Sequence, residues 1–225
     1  MCTTYVTPLT PDNVCAQKGA FGGTYFRKIK SGVTGETYSD AWKEFPDAWF
    51  EGMQVKTQVA SATYHESRNK YGVKCGSGLD AWEEKGWIEP SAPFGWFHWY
   101  CRYFMGLRGE DDQRQISRWN KCAGLKSGRW VRNLVTKVCR AQASYDDEKV
   151  SPVVRQTLLH WGYELTDEDF LQIARSRGML SDEESGNADS PESEDTGAQQ
   201  KSGGTKRSRA QAANGSGSNK QSKKE

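Results

Sequence analysis

The sequence has little that indicates a membrane, secretion or metal chemistry. No stretch approaches the roughly 20 consecutive apolar residues that a membrane-spanning helix needs. The first eight residues have neither a basic start nor an apolar run, so we expect no secretory signal peptide. The six cysteines include no CxxC pair and the three histidines are scattered, so neither a metal nor a cofactor is expected. These absences predict a soluble intracellular protein of the nucleus or cytoplasm, with free thiols and no membrane partner.

Apolar residues are scarce overall because they are missing from one end. The chain has 225 residues, of which 35% are hydrophobic, and this length suits one domain with an appendage. Residues 181–225 contain no Trp, Tyr, Phe, Leu, Ile or Val. Burial there cannot offset the entropy of ordering the backbone, so we predict a disordered carboxy-terminal tail.

The tail is divided by charge. Residues 182–195 carry seven acids and no base, and residues 201–224 carry seven bases and no acid. Its basic clusters are typical of a nuclear-import signal or a weak phosphate-binding arm, and Ser190 before Pro191 is a candidate phosphorylation site. A solubilising tail without a localisation signal explains the same composition equally well.

The tryptophans mark the folded part of the chain. All nine lie between Trp42 and Trp161, so we predict a single tryptophan-rich domain over residues 21–180. Residues 1–20 have few large apolar groups and are predicted to be a flexible arm. Residues 21–75 alternate Gly, Thr, Tyr and Lys, a pattern that favours a short hairpin, long loops and a helical turn after Pro46.

From Ser77 the apolar spacing becomes helical and predicts a mainly α fold: a compact helical domain with an irregular, partly β amino-terminal portion. Predicted helices run over about 77–85, 94–107, 111–121, 128–143 and 152–161, and a last one is capped by Thr166 and ends near Gly178. The fourth has an apolar stripe made by Trp130, Val131, Leu134, Val135 and Val138.

The main electrostatic feature lies between Phe94 and Arg140. This segment has ten Lys/Arg residues and three acids, a local excess of +7 in a chain whose net charge is +2, and aromatic residues alternate with the bases. Aromatic faces beside guanidinium groups stack bases and neutralise phosphates, so the segment predicts a nucleic-acid partner. The candidate contacts are Arg102, Arg108, Arg114, Arg118, Trp119, Arg129 and Arg132. The alternative is that the aromatic residues form the core and the Lys and Arg residues lie on the solvent-exposed faces of the same helices.

Two further functions stay open at this stage. Arg114 and Arg118 are spaced i and i+4, so they could clamp an anionic small molecule or a modified base, with Asp111, Asp112 or His98 as acid/base. An ordinary surface ion pair between Asp111 and Arg114, and a core position for His98, explain the same residues more simply. A protein-interaction module regulated by its charged tail is the other possibility. The sequence leaves the oligomeric state open.

Five segments are similar to one family: Gly22-Gly23-Thr24-Tyr25, residues 43–50, residues 82–88, residues 95–103 and residues 114–119. Over about residues 19–165 the chain resembles a small tryptophan-rich family of uncharacterised proteins from bacteria, fungi, algae and plants. Its most distinctive piece is Trp96-Phe97-His98-Trp99-Tyr100-Cys101-Arg102. The resemblance implies one compact domain, carries no activity to transfer, and suggests glutamine as the usual residue at the place of His98.

Overall fold

The structure is a computed structural model and describes residues 7–14 and 19–180. The predicted mainly α fold is confirmed. Seven helices follow one another in the described residues: α1 (Val55–Gln58), α2 (Leu79–Glu84), α3 (Trp96–Phe104), α4 (Asp112–Ala123), α5 (Arg129–Ala141), α6 (Pro152–His160) and α7 (Asp167–Ser176). No helix of this described part is long and apolar enough to cross a membrane.

The amino-terminal portion is irregular and partly β, as predicted. Strands β1 (Ile29–Lys30) and β2 (Thr37–Tyr38) form an antiparallel pair with Ile29 opposite Tyr38. Short 3-10 helices occupy Ala41–Glu44, Asp47–Phe50 and Glu66–Arg68, and the second is the predicted turn after Pro46. Long loops connect these elements.

Helix α5 is the central element of the helical part. It packs against α4, α6 and α7. The predicted stripe accounts for this position, because Val131, Leu134, Val135 and Val138 are completely buried. Trp130, at the end of the stripe, is only half-buried.

Two helix starts differ from the prediction. Helix α2 begins one residue later than expected, with Gly78 rather than Ser77 as its N-cap. Helix α3 begins at Trp96 rather than Phe94, because Gly95 has a φ of 93°, which a helix cannot continue through. A Cβ at Gly95 would lie 3.2 Å from Ile88 Cδ1, so the glycine also permits close packing there. The cap of α7 is confirmed, since the Asp169 backbone N–H donates to Thr166 Oγ1.

Part of the predicted flexible arm contacts the domain. Val14 has no exposed surface, the Leu9 backbone N–H donates to Gly162 O at 3.0 Å, and the Tyr100 hydroxyl donates to Leu9 O at 3.0 Å. Residues 7–14 therefore pack on the domain, held by backbone bonds that composition does not reveal. The rest of the predicted arm, residues 1–6 and 15–18, and the whole predicted tail lie outside the described residues.

Candidate anion-binding cavity

A cavity of about 580 Å³ opens where α2, the start of α3, α4, the start of α5 and the end of α6 meet. We call it the aromatic cavity, because eight of its lining residues are Phe, Tyr or Trp. Its aromatic lining residues are Phe21, Tyr25, Trp82, Trp87, Trp96, Phe97, Trp130 and Trp161. The volume falls within the range that holds small-molecule ligands, about 300–1,000 Å³.

Three cations line the aromatic cavity, and no acid does. Arg118 and Lys121 are three residues apart on α4 and so share a helix face, and Arg129 is the first residue of α5. Among the described residues, no carboxylate lies within salt-bridge distance of any of the three. The cavity is therefore electropositive and lacks an internal counterion in the described part of the chain.

The Arg118 side chain is held in place by neutral groups. Its Nη1 donates to Gln115 Oε1 at 2.9 Å and to Trp87 O at 3.2 Å, and its guanidinium carbon lies 5.7 Å from the centre of the Trp161 ring. Burial, and next the charge of Arg114, lower the pKa of Arg118. Binding of an anion would stabilise a partly buried cation whose hydrogen-bond partners are all neutral.

The nine indole N–H groups differ in whether they have an acceptor inside the protein. Trp96 donates to Gln115 O, Trp99 to Asp112 Oδ1 and Trp119 to Trp161 O, so these three are satisfied inside the protein. No acceptor is found among the described residues for six others, of which four line the aromatic cavity, namely Trp82, Trp87, Trp130 and Trp161, and two lie outside it, namely Trp42 and Trp49. The cavity thus offers hydrogen-bond donors as well as positive charge, and it suits a ligand rich in acceptors.

Of the seven candidate contacts predicted from the sequence, the structure brings only Arg118 and Arg129 to this cavity. Arg129 lies over the Trp130 ring at 4.3 Å. Trp119 is a core residue, 9% exposed, so it offers no face to a partner. Arg132 is exposed on α5 but lies outside the cavity lining.

The remaining three arginines are engaged within the domain. Arg102 makes a two-pronged pair with Glu44, with Nε to Oε1 at 2.6 Å and Nη2 to Oε2 at 2.8 Å. Arg108 stacks on Tyr103, with its guanidinium carbon 3.7 Å from the ring centre. Arg114 pairs with Asp111 and with Glu89, the latter at 3.0 Å. The Asp111–Arg114 ion pair is therefore present, and the clamp by Arg114 and Arg118 is not formed.

A second depression, of about 690 Å³, is lined by five acids, and we call it the acidic cleft. These acids are Glu44, Glu89, Glu110, Asp111 and Asp112, and Arg102 and Arg108 lie among them. Burial raises the pKa of Glu44, but hydrogen bonds from His98 and Arg102 outweigh burial and hold it at about 2. Within the described residues, no group of three His, Cys, Asp or Glu side chains is arranged to hold a metal ion.

His98 is a core residue. It is 1% exposed, its ring meets Phe26, Phe45 and Phe94 edge to face, and burial lowers its pKa. Its Nε2 lies 3.4 Å from Glu44 Oε2, and its Nδ1 has no partner among the described residues. His98 lines neither the aromatic cavity nor the acidic cleft, so the acid/base arrangement with Arg114 and Arg118 is not assembled.

Another histidine, His160, lies in the wall of the aromatic cavity beside Cys75. Its Nε2 donates to Ala20 O at 2.6 Å, and Cys75 Sγ lies 3.6 and 3.8 Å from the two ring nitrogens. Near-equal distances place the sulfur in line with neither nitrogen, and burial raises the pKa of Cys75 to about 11. The two side chains are thus a packed pair and do not form an activated thiolate.

Of the cavity lining, only Arg118 and Arg129 were candidates from the sequence, and the residues missed include Lys121 and the tryptophans Trp82, Trp87 and Trp161. Lys121 had a usable signal, since it follows Arg118 by three residues on the same helix. The tryptophans had none, because they come from separate segments. Comparisons of the chain with protein-family models, curated proteins and solved structures give no match.

Proposed function

We propose that this protein binds single-stranded nucleic acid and takes one nucleotide into the aromatic cavity. The observation that carries the proposal is the coincidence, in one concave site, of ring surfaces with three cations that have no described carboxylate partner. Rings stack on bases of any sequence, and cations neutralise the phosphates that accompany them.

The shape of the site favours a single strand over a duplex. A base must leave its stack to enter a cavity, and an unpaired base does so at the lowest cost. The indole donors of Trp82, Trp87, Trp130 and Trp161 meet acceptors on an unpaired base edge, which a base pair would conceal.

The size of the cavity favours a second candidate, a free anionic small molecule with one aromatic ring system. A volume of about 580 Å³ accommodates such a ligand without a polymer attached. The two candidates differ in what they require outside the cavity: a strand gains affinity from further phosphates, and a small molecule does not.

Binding of the full chain to one oligonucleotide sequence, in single-stranded and duplex form, tests the proposal. At low salt the single strand should bind at least about tenfold more tightly, which corresponds to the stacking of one base. Its affinity should fall with salt at a logarithmic slope of about −2, as expected for three cations on a single strand. Weak binding that does not depend on salt would contradict the proposal.

Cys122 gives a readout located in the cavity itself. It lines the aromatic cavity, whereas Cys139, also half-buried, does not. A saturating single strand should slow alkylation of Cys122 by a maleimide and leave Cys139 unchanged, with mass spectrometry identifying each site. Equal rates at Cys122 with and without a bound strand would place binding elsewhere.

A further inference from the structure

A smaller cavity of about 290 Å³ adjoins the aromatic cavity. We call it the side cavity. The two share six lining residues, namely Phe21, Tyr25, Gly76, Ser77, Trp82 and His160. The side cavity has two cations of its own, Arg27 and Lys74, and no acid lines it.

The cations of the side cavity have no counterion among the described residues. Arg27 Nη1 donates to the Thr24 carbonyl, at 3.4 Å, and Lys74 Nζ lies 5.5 Å from the centre of the Tyr64 ring. No carboxylate in the described part of the chain is within salt-bridge distance of either. The electropositive lining therefore continues from one cavity into the other.

The wall shared by the two cavities is built from packed rings. Phe21 stacks on His160 with centroids 4.5 Å apart and planes at 17°, and Tyr25 meets Phe97 edge to face at 5.0 Å. The bond from His160 Nε2 to Ala20 O fixes the imidazole plane. Such a wall is preorganised, so a ligand that crosses it need not order it first.

We infer that the two cavities form one groove for two successive nucleotides of a single strand. The aromatic cavity holds one nucleotide and the side cavity holds the next. This inference rests on the proposed function and specifies its ligand as at least a dinucleotide. The phosphate joining the two nucleotides crosses the shared wall, between the cations of the two cavities. Ring surface on both sides of this phosphate, with Trp82 common to both cavities, provides the stacking.

The test compares thymidine 5′-phosphate, the 5′-phosphorylated thymidine dinucleotide and the corresponding tetranucleotide, with quenching of tryptophan fluorescence as the signal. The dinucleotide should bind about tenfold more tightly than the mononucleotide, because it adds one stacked base and one phosphate. The tetranucleotide should bind less than about threefold more tightly than the dinucleotide. Its additional phosphates lie outside the groove, where solvent and salt screen their interaction with the protein.

Variants locate the second nucleotide. Lys74→Gln and Arg27→Gln should each weaken dinucleotide binding about threefold to tenfold and leave the mononucleotide unchanged. Lys28→Gln is the matched control, because Lys28 is exposed beside Arg27 and lines neither cavity. Lys74 is also exposed, so its replacement leaves the core intact, and thermal unfolding verifies this for both variants.

The outcomes separate this inference from the proposed function. If the dinucleotide and mononucleotide bind equally and both variants behave like Lys28→Gln, the two-nucleotide groove is wrong and the one-nucleotide site of the proposed function is retained. If no member of the series quenches fluorescence, both proposals fall. If an acidic dipeptide with a tryptophan competes as strongly as the dinucleotide, the ligand class is peptide and the inference is equally wrong.

Discussion

The aromatic cavity and the acidic cleft draw their arginines from the same basic segment and use them in opposite ways. In the acidic cleft, Arg102 is bound to Glu44 through two hydrogen bonds of 2.6 and 2.8 Å. In the aromatic cavity, Arg118 has neutral acceptors, Gln115 and Trp87, and no described carboxylate. The comparison shows that a local excess of positive charge indicates a binding site only after the cations already paired with acids of the domain have been discounted.

The two sets of tryptophans repeat this difference. Trp99 donates its indole N–H to Asp112, an acid of the acidic cleft, and so helps to hold the fold together. Trp130 lines the aromatic cavity and has no acceptor for its indole N–H in the described chain. In the acidic cleft the tryptophan donor is used inside the domain, and at the aromatic cavity it is left for solvent or a ligand.

Removing all three cavity cations should have the largest effect. Replacing Arg118, Lys121 and Arg129 with glutamine should weaken single-strand binding by about a hundredfold and reduce the magnitude of the salt slope by about 2, because three charge-assisted contacts are lost together. Binding is measured by fluorescence anisotropy at several salt concentrations. A variant that keeps its salt slope would show that phosphates are neutralised elsewhere.

Loss of a cavity ring should come next. Trp130→Leu should reduce affinity about tenfold, since the stacking of a base on an aromatic ring contributes about 1–3 kcal/mol. Trp49→Leu is the control: Trp49 is likewise half-buried, stacks on Phe45, and lies outside the cavity. Equal losses for the two variants would mean that the effect is on stability rather than on stacking.

The two regions should lose stability in different ranges of pH. Burial lowers the pKa of His160, in the cavity wall, from 6.5 to about 4, so the unfolded chain binds a proton first as the pH falls. The stabilisation from keeping His160 neutral is complete above pH 6.5 and is lost between pH 6.5 and about 4, with a total of about 3 kcal/mol. Urea unfolding of the full chain at a series of pH values measures this. His160→Gln should remove the decline, and an unchanged decline would assign it to other groups.

The contribution of Glu44 should appear lower on the pH scale. Its pKa is held at about 2 instead of 4.5, so the stability it provides is present above pH 4.5 and is lost as the pH falls towards 2. Because the Glu44 side chain is 32% exposed, Glu44→Gln should cost only about 1 kcal/mol of unfolding free energy at neutral pH. Nucleic-acid affinity should not change. A loss of affinity in this variant would remove the functional separation of the two regions.

The features that were predictable from sequence are local ones. They are the apolar stripe of α5, the Thr166 cap of α7 and the Asp111–Arg114 pair. Each joins residues a few positions apart, so helical geometry alone determines which side chains are in contact. The pairing of Arg102 with Glu44 spans 58 residues, so no spacing rule could show that this arginine is engaged. The aromatic cavity is likewise a tertiary feature, because its tryptophans come from α2, the loop after it, the start of α3, α5 and the end of α6.

One matched pair of variants tests the central claim most directly. Arg114 and Arg118 are one helical turn apart on α4, and the difference between them is that Arg114 is paired with acids while Arg118 lines the aromatic cavity. Single-strand binding should weaken about tenfold in Arg118→Gln and less than about twofold in Arg114→Gln, at equal thermal stability. Equal losses in the two variants, or a larger loss in Arg114→Gln, would contradict the account.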